Sequence, residues 1–457
     1  MTKTRAVHAE IIDFPAADNQ PEIKETYKPD EDQIAVEMSA QLQGRAAYFY
    51  GSWRVYEGGI WSQRDMTEMR RYIRREARDY RTKGIRVTNS LIGGLLNLLE
   101  DDLYIPDRVI MNAHADHKKY VPLQNGVFNL ETFELEDHRA DLYFTYRLAF
   151  DFDAGADCPS FWKYLRSSLV YPNSRETDQK LVTLTIEALA YSMTARTDLK
   201  SSFWLVGEKD SGKSTFIALI KALMGDLYGT IDLTQLGTNR FLLAGIVGKR
   251  VIAFTEASGS SLLPEALYKA LTGGSDEIFA DVKNRDPITF RPACKVWWAM
   301  NGMPRVNDRS GATIRRIIII PFNRTIPENE RDYTLEQRLM IERAGIFNVM
   351  ITHYKRLVRS GGFTRVDQVE ERRAEYAFEN DIEAQYAGER FDRHENNKVQ
   401  AAELYRDYRS WCEEFGYRPK SVTQIAAEWR RLGLTDKKSN GLSVWTGAKL
   451  RTNKIIE

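Results

Sequence analysis

The chain has 457 residues, 43% hydrophobic and 28% charged, and its 65 Lys and Arg against 64 Asp and Glu leave a formal net charge of +1. That length carries two to four domains with ample core, and the charge balance neither favours nor excludes nucleic acid as a partner. No apolar run approaches the ~20 residues of a membrane span, and Cys158, Cys294 and Cys412 are too scattered and odd in number for a disulfide framework, which points to reduced thiols in a cytoplasm.

In chain order, residues 1–35 read as a flexible acidic arm with a cluster from Pro29 to Asp32, and the N-terminus lacks a signal-peptide core. Residues 36–165 have a mixed α+β pattern. Tyr48 to Tyr50 and Trp53 to Trp61 predict strands that turn at Gly58 and Gly59. Thr67 to Tyr80 predicts a helix carrying Arg70, Arg71, Arg74, Arg75 and Arg78. That helix is either a solvated face balanced by Glu68, Glu76 and Asp79 or a nucleic-acid face. His114 and His117 lack thiolates or a second ligand pair and read as solvent-facing loop residues rather than a metal site. Asn125-Gly126 marks a turn. Pro159 to Tyr171 and Asp178 to Tyr191 read as helices.

From about 195 to 325, apolar strands alternate with helices and loops, the pattern of a parallel α/β core. Phe203–Val206, Val251–Phe254 and Lys295–Met300 are the clearest strands, and Arg316–Pro321, with four consecutive isoleucines, predicts one buried on both faces. Leu335 to Leu357 follows with helical periodicity. In the last part, Leu404, Tyr408, Trp411 and Phe415 define one helix. Ser421 caps a second, which carries Ile425 and Trp429 and ends at Gly433. Strand-like pieces at Leu442–Trp445 and Lys449–Arg451 complete a winged-helix-like pattern. Between 418 and 454, Arg418, Lys420, Arg430, Arg431, Lys437, Lys438, Lys449, Arg451 and Lys454 face only Glu428 and Asp436, a footprint for phosphate or for a protein partner.

The chemistry is concentrated where Trp204 to Val206 run into G-x-x-x-x-G-K-S, spanning Gly207, Glu208, Lys209, Asp210, Ser211, Gly212, Lys213 and Ser214, with Thr215 next. A strand ending in such a loop frees backbone N–H groups to surround phosphate oxygens at a helix N-terminus. Lys213 then reaches the β- and γ-phosphates, and the Ser214 hydroxyl can sit on Mg²⁺. The ligands implied are ATP and Mg²⁺. Hydrolysis further needs a carboxylate at a neighbouring strand end, supplied by Glu256, which with Ser214 forms the expected metal site. It also needs a polar residue beside the attacking water, supplied by Asn301, and a cation for the transferred phosphoryl group, supplied by Arg315 or Arg316.

The segments 207–215, 251–256, 271–278 with Lys283, 295–304 and 315–322 resemble the successive motifs of superfamily 3 helicases, most closely the primase-helicases of phages, plasmids, satellites and poxviruses. Leu123 to Leu130 and Cys158 to Trp162 look like the domain preceding the helicase in that family, and Leu404 to Gly416 looks like its C-terminal helical module. The resemblance implies a P-loop, AAA+-like core in a ring, taken as a hexamer, that moves 3′→5′ on single-stranded DNA with ATP between subunits. It implies Lys213 and Ser214 as phosphate and metal contacts, Glu256 as catalytic carboxylate and Asn301 as sensor. Arg316, then Arg315, would be the finger donated to a neighbour, and Lys283 with Arg285 would grip DNA on a hairpin whose tip is Asp281–Pro287. The expected domains are the arm 1–35, a pre-helicase domain 36–165, the ATPase core with flanking helices 166–360 and a C-terminal module 361–457.

Two departures stand out. Thr255 occupies a position where many relatives carry a second acid, and no carboxylate pair suited to polymerase chemistry is visible, Asp101-Asp102 reading as a helix-terminal surface pair. Primer synthesis is therefore not expected of this chain, and a separate primase or initiator is an expected partner alongside single-stranded or forked DNA. Competing classes are an ATPase that remodels or loads another protein and a scaffold that uses ATP only to assemble.

Overall fold

The computed structural model describes residues 30–106, 108–110, 116–232, 240–254, 262–274, 276–281, 288–306, 311–439 and 441–451. These divide into two compact units, one of residues 30–56 and 62–106 and one of residues 57–61 and those from 108 onward. Among the described residues no helix is long and apolar enough to cross a membrane.

In the first unit, helix α1 (Glu31–Leu42) leads to strands β1 (Ala46–Phe49), β2 (Ser52–Glu57) and β3 (Ile60–Arg64), joined in the sheet order β1-β2-β3. Gly58 and Gly59, both with positive φ, make the expected turn. Helices α2 (Met66–Glu76) and α3 (Asn89–Asp102) follow. Capping boxes start α1 at Asp30 with Gln33 and α2 at Asp65 with Glu68, satisfying N–H groups that the helices cannot. Ile34, Met38, Trp53, Met69, Ile73, Leu95 and Leu99 close the core.

The second unit opens with β4 (Tyr120–Leu123), β5 (Gly126–Asn129) and β6 (Leu135–Glu136), an antiparallel sheet turning at Asn125-Gly126 as expected. His117 is not solvent-facing: it is buried, its Nε2 lies 2.7 Å from the Leu142 carbonyl, and its ring stacks on Phe144. A nearby carbonyl and an aromatic face, neither visible in sequence spacing, draw it inward. His114 lies outside the described residues.

Helices α4 (Pro159–Ser168) and α5 (Gln179–Met193) lead into the central sheet. Its strands are β7 (Ser202–Val206), β8 (Tyr228–Ile231), β9 (Val251–Phe254), β12 (Lys295–Met300) and β13 (Ile317–Pro321), in the order β13-β7-β12-β9-β8 with every neighbouring pair parallel. Between them lie α6 (Lys213–Met224), α7 (Glu265–Gly273) and an antiparallel hairpin of β10 (Ile278–Ala280) and β11 (Ile288–Phe290). Alternate strand residues enter opposite cores. Phe203, Leu205, Trp297, Ile318 and Ile320 join one cluster, and Trp204, Val296, Trp298, Ile317 and Ile319 join the other. The isoleucine strand is thus buried on both faces, as its composition predicts.

The single helix expected over 335–357 is two, α8 (Leu335–Ile341) and α9 (Arg343–Ser360). The joint has a job. The Glu342 carboxylate accepts from the Ser160 and Phe161 N–H groups at 3.0 Å each, filling donors at the start of α4. Beyond it, α10 (Asp367–Glu379) buries Val369 and Tyr376 in the two cores of the central sheet, and α11 (Ile382–Arg390), β14 (Phe391–Gln400), α12 (Ala401–Glu414), α13 (Val422–Arg431), β15 (Thr435–Ser439) and β16 (Leu442–Leu450) form the C-terminal module, with sheet order β14-β16-β15. The two short strands expected near the C-terminus are one strand, β16. The strand β14 was not foreseen, because only Phe391 and Val399 along it are buried and no apolar alternation marks it.

All three cysteines are buried and unbridged. Burial pushes the thiols of Cys158 and Cys294 up, to about 12 and about 11, which removes them as nucleophiles.

Glu187 on α5 has no exposure yet accepts from Arg356 Nη1 and from the Thr364 N–H and hydroxyl, each at 2.8 Å. Glu187→Ala leaves these donors facing a void. Urea denaturation is expected to show a loss of about 3 kcal/mol, with a smaller loss for Glu187→Gln.

Candidate functional site

Because β7, β12 and β9 run parallel, their carboxyl ends share one edge, where open α/β sheets bind ligands. At that edge β7 breaks into the loop from Gly207 to Gly212, and α6 begins at Lys213. Gly207 is required by contact rather than by φ: a Cβ there would lie 2.3 Å from the Phe322 carbonyl oxygen. Gly212 is required by φ, which is +96° at the N-cap of α6, and its carbonyl accepts from the Tyr164 hydroxyl at 2.8 Å. Asp210 also has positive φ and is held by Arg331 at 2.9 Å, while its carbonyl accepts from the Ile326 N–H at 2.9 Å.

Lys213 is buried against its own loop. Its Nζ donates to the Gly207 and Glu208 carbonyls at 2.7 Å each and to the Ser211 hydroxyl at 3.1 Å. Burial lowers its pKa, opposed by the charges of Glu208 and Asp210. A phosphate chain placed over the loop would offer this ammonium charged acceptors in exchange for neutral carbonyls. Ser214, in the first turn of α6, is exposed.

A cleft of about 1080 Å³ collects these groups: Lys209 to Thr215 form one wall, and Asn301, just past β12, lies on another. The third wall is the segment 324–338, which sequence reading did not assign to the site. It brings Arg324, Arg331 and Arg338, paired with Glu330, Asp210 and Asp332 respectively, together with Tyr333, which is 84% exposed. These arginines reach the loop only through the fold, and no local spacing announces them. The residues present fit a nucleoside triphosphate: loop N–H groups at a helix start, a buried ammonium, and an exposed hydroxyl for a cation.

Glu256, Lys283 and Arg285 lie outside the described residues. The flanking strands are described: β9 ends at Phe254 in register with Trp298 of β12, and β10 pairs β11 as the two arms of the expected hairpin. Arg315 and Arg316 stand at the opposite end of the sheet, since Ile317 pairs with Ser202 at the start of β7. Five or more residues of strand put them roughly 15 Å or more from the Gly207 loop of the same chain. Arg316 turns inward, donating from Nη1 to the Lys269 carbonyl of α7 at 2.8 Å, whereas Arg315 is exposed.

Known proteins converge on this arrangement. The family described as "D5 N terminal like" matches residues 38–169, and a family of unknown function, DUF5906, matches residues 205–316. A protein named "putative helicase" from Acanthamoeba polyphaga mimivirus is 24% identical over 71% of this chain, and one of that name from Invertebrate iridescent virus 6 is 25% identical over 53%. A third, from Sputnik virophage, is 18% identical over 62%. The chain is a relative of the viral and phage superfamily 3 type primase-helicases. It spans 36%, 26% and 38% of the lengths of those three proteins. Two apo structures of the NrS-1 C-terminal region share its fold, with TM-scores of 0.51 and 0.50 at 12% identity, covering 92% of this chain and all of theirs.

Two outcomes follow from the geometry of this superfamily 3 cleft. Gly207→Ala forces the Phe322 carbonyl away and is expected to cost about 1–3 kcal/mol, read from the urea midpoint. On the third wall, Arg338, with Thr334, holds the Asp332 carboxyl at about 2, below the ordinary 3.8. Its ion pair therefore supports the turn fully above pH 3.8 and is lost as pH falls through about 2. A carboxyl-carbon NMR titration of Asp332 should show that midpoint.

Proposed function

We propose that this chain is the ATP-driven motor of a replicative DNA helicase of a virus, phage or other mobile element. It would act in the host cytoplasm as a hexameric ring moving 3′→5′ on single-stranded DNA. The observation that carries this reading is the meeting of Lys213, Ser214 and Asn301 in one cleft at the carboxyl edge of a five-stranded parallel sheet, in a relative of viral helicases. The strand order and the loop support a P-loop, AAA+-like core. The succession α11, β14, α12, α13, β15, β16 supports a winged-helix-like C-terminal module.

In this reading the loop N–H groups and Lys213 bind the phosphates of ATP. Ser214 and Glu256 would hold Mg²⁺, which when bound would supply neutralisation of phosphate charge. Asn301 orients a water for in-line attack on the γ-phosphorus, and Glu256 draws off its proton as the bond to the ADP oxygen breaks. The exposed ring of Tyr333 offers a stacking face to the base. The finger comes from a neighbouring subunit. The resemblance ranks Arg316 first and Arg315 second; Arg316 donates to the Lys269 carbonyl, and Arg315 is exposed. Lys283 and Arg285 at the hairpin tip grip the DNA backbone. A separate primase or initiator supplies primers or loading.

The test is strand displacement on a forked duplex with single-stranded tails of each polarity. Unwinding from a 3′ tail is expected, abolished by Lys213→Ala. Arg315→Ala is expected to slow hydrolysis by about 10³-fold or more and to poison wild-type subunits when mixed. DNA-stimulated hydrolysis without unwinding on either tail would instead favour a remodelling ATPase. Additive activity in the mixture would overturn the shared site.

A further inference from the structure

The sequence offers two basic candidates for contact with nucleic acid outside the hairpin, and the structure separates them. In the C-terminal module Lys420, Arg430, Arg431 and Lys449 are paired with carboxylates. Lys420 pairs with Glu383 and Glu428 at 2.8 and 2.9 Å, and Arg431 with Asp381 and Glu428 at 2.8 and 2.7 Å. Arg430 faces Asp436 at 3.1 Å and Lys449 faces Asp392 at 3.2 Å. Glu428 and Asp436 are the acids within 418–454, and Asp381 at the start of α11, Glu383 of α11 and Asp392 of β14 fold back onto the stretch from outside it.

The α2 helix is the reverse case. Met69, Ile73 and Ala77 are buried in the core of the first unit, which fixes the opposite side of the helix outward. That side carries Arg71 and Arg75, flanked by the row of Arg70 and Arg74 that Arg78 continues on the 3₁₀ turn Ala77–Arg81, all exposed. The carboxylates meant to balance them reach only part of the row. Glu68 closes the capping box, accepting from the Asp65 N–H at 3.0 Å, and Glu76 stands 3.4 Å from both Arg45 and Arg75. Arg74 donates to the neutral Asn89 side chain. Asp79, exposed on the next turn, is the remaining carboxylate of the stretch.

We infer that the outer face of α2 is a phosphate-binding surface for single-stranded nucleic acid, separate from the hairpin grip. Arg70 and Arg74 stand one four-residue step, about 6 Å, apart along α2, and Arg78 extends this ladder on the 3₁₀ turn that follows. A repeating anion complements such a ladder. All five cations are guanidiniums, whose forked donors match phosphate oxygens and which shed water more readily than an ammonium. The Tyr72 ring on this helix is taken up under the Arg75 guanidinium at 5.0 Å, so contact is to the phosphate backbone and independent of base sequence. The inference goes beyond the motor, because binding here requires no nucleotide and no ring.

The experiment uses the full chain and a labelled oligo-dT strand, with affinity measured across salt concentrations without ATP. Arg70, Arg74 and Arg78 are replaced together by Gln, and in a second variant by Lys. Each phosphate contact contributes about 0.7 to the slope of log affinity against log salt on a single strand, so the Gln variant should flatten the slope by about 2. Its affinity should fall at least tenfold at low salt. The Lys variant should keep the slope, and DNA-independent ATP hydrolysis and thermal unfolding should match wild type in both.

An unchanged slope in the Gln variant overturns the inference. So does an equal flattening in the Lys variant, or binding of poly-glutamate as tight as that of DNA, which would mark an acidic protein as the partner. Because the readout needs no hydrolysis, it stands apart from the motor reading. Loss of ATP hydrolysis with the slope intact would count against the motor alone.

Discussion

The site depends on one strand being locked from both sides. β7 lies between β12 and β13, parallel to both, and its alternate residues enter two different cores. Large aromatics do much of the locking: Trp204 meets Trp298 edge-on at 5.5 Å between centroids on one face, and Phe203 meets Trp297 at 4.6 Å on the other. Such pairs add specific geometry to their area of burial. A strand held this way delivers its end to a fixed point, and the absence of a side chain at Gly207 lets β13 approach closely at that point.

From that fixed point the loop acquires its charge arrangement. Lys213 is drawn out of water against carbonyls of its own loop, where electrostatic attraction to phosphate is stronger than on an open surface. The loop is also tied to a distant part of the chain, since Asp210 is bonded by both the side chain of Arg331 and the backbone of Ile326. Rearrangement at Lys213 is thereby coupled to the segment that carries Arg324, Tyr333 and Arg338. Tyr164, from α4, adds a further tie through the Gly212 carbonyl.

Charge elsewhere follows the same logic of proximity over totals. A net charge of +1 conceals a C-terminal module in which carboxylates fold back onto Lys420, Arg430, Arg431 and Lys449, and a helix in the first unit on which Glu76 meets Arg75 while Glu68 is used in capping. Counting charges in a window treats both alike. Which carboxylate meets which cation is decided by capping, by helix phase and by strand pairing.

The sequence by itself determined the strands of the core, the phosphate-type loop and the helix after it. Their information is local: a continuous apolar run in Ile317–Pro321, glycines before Lys213, a Ser421 cap answered by Gln424. It also carried the family, because the motifs keep their order. Tertiary structure alone decided that α8 and α9 part at Glu342 to cap α4, that His117 turns inward to the Leu142 carbonyl, and that β14 forms from a polar stretch. It placed Arg331 on the loop 121 residues away and turned Arg316 onto α7 rather than outward. Those contacts join groups far apart along the chain, so the burial and the partners that set them exist only once the sheet has closed.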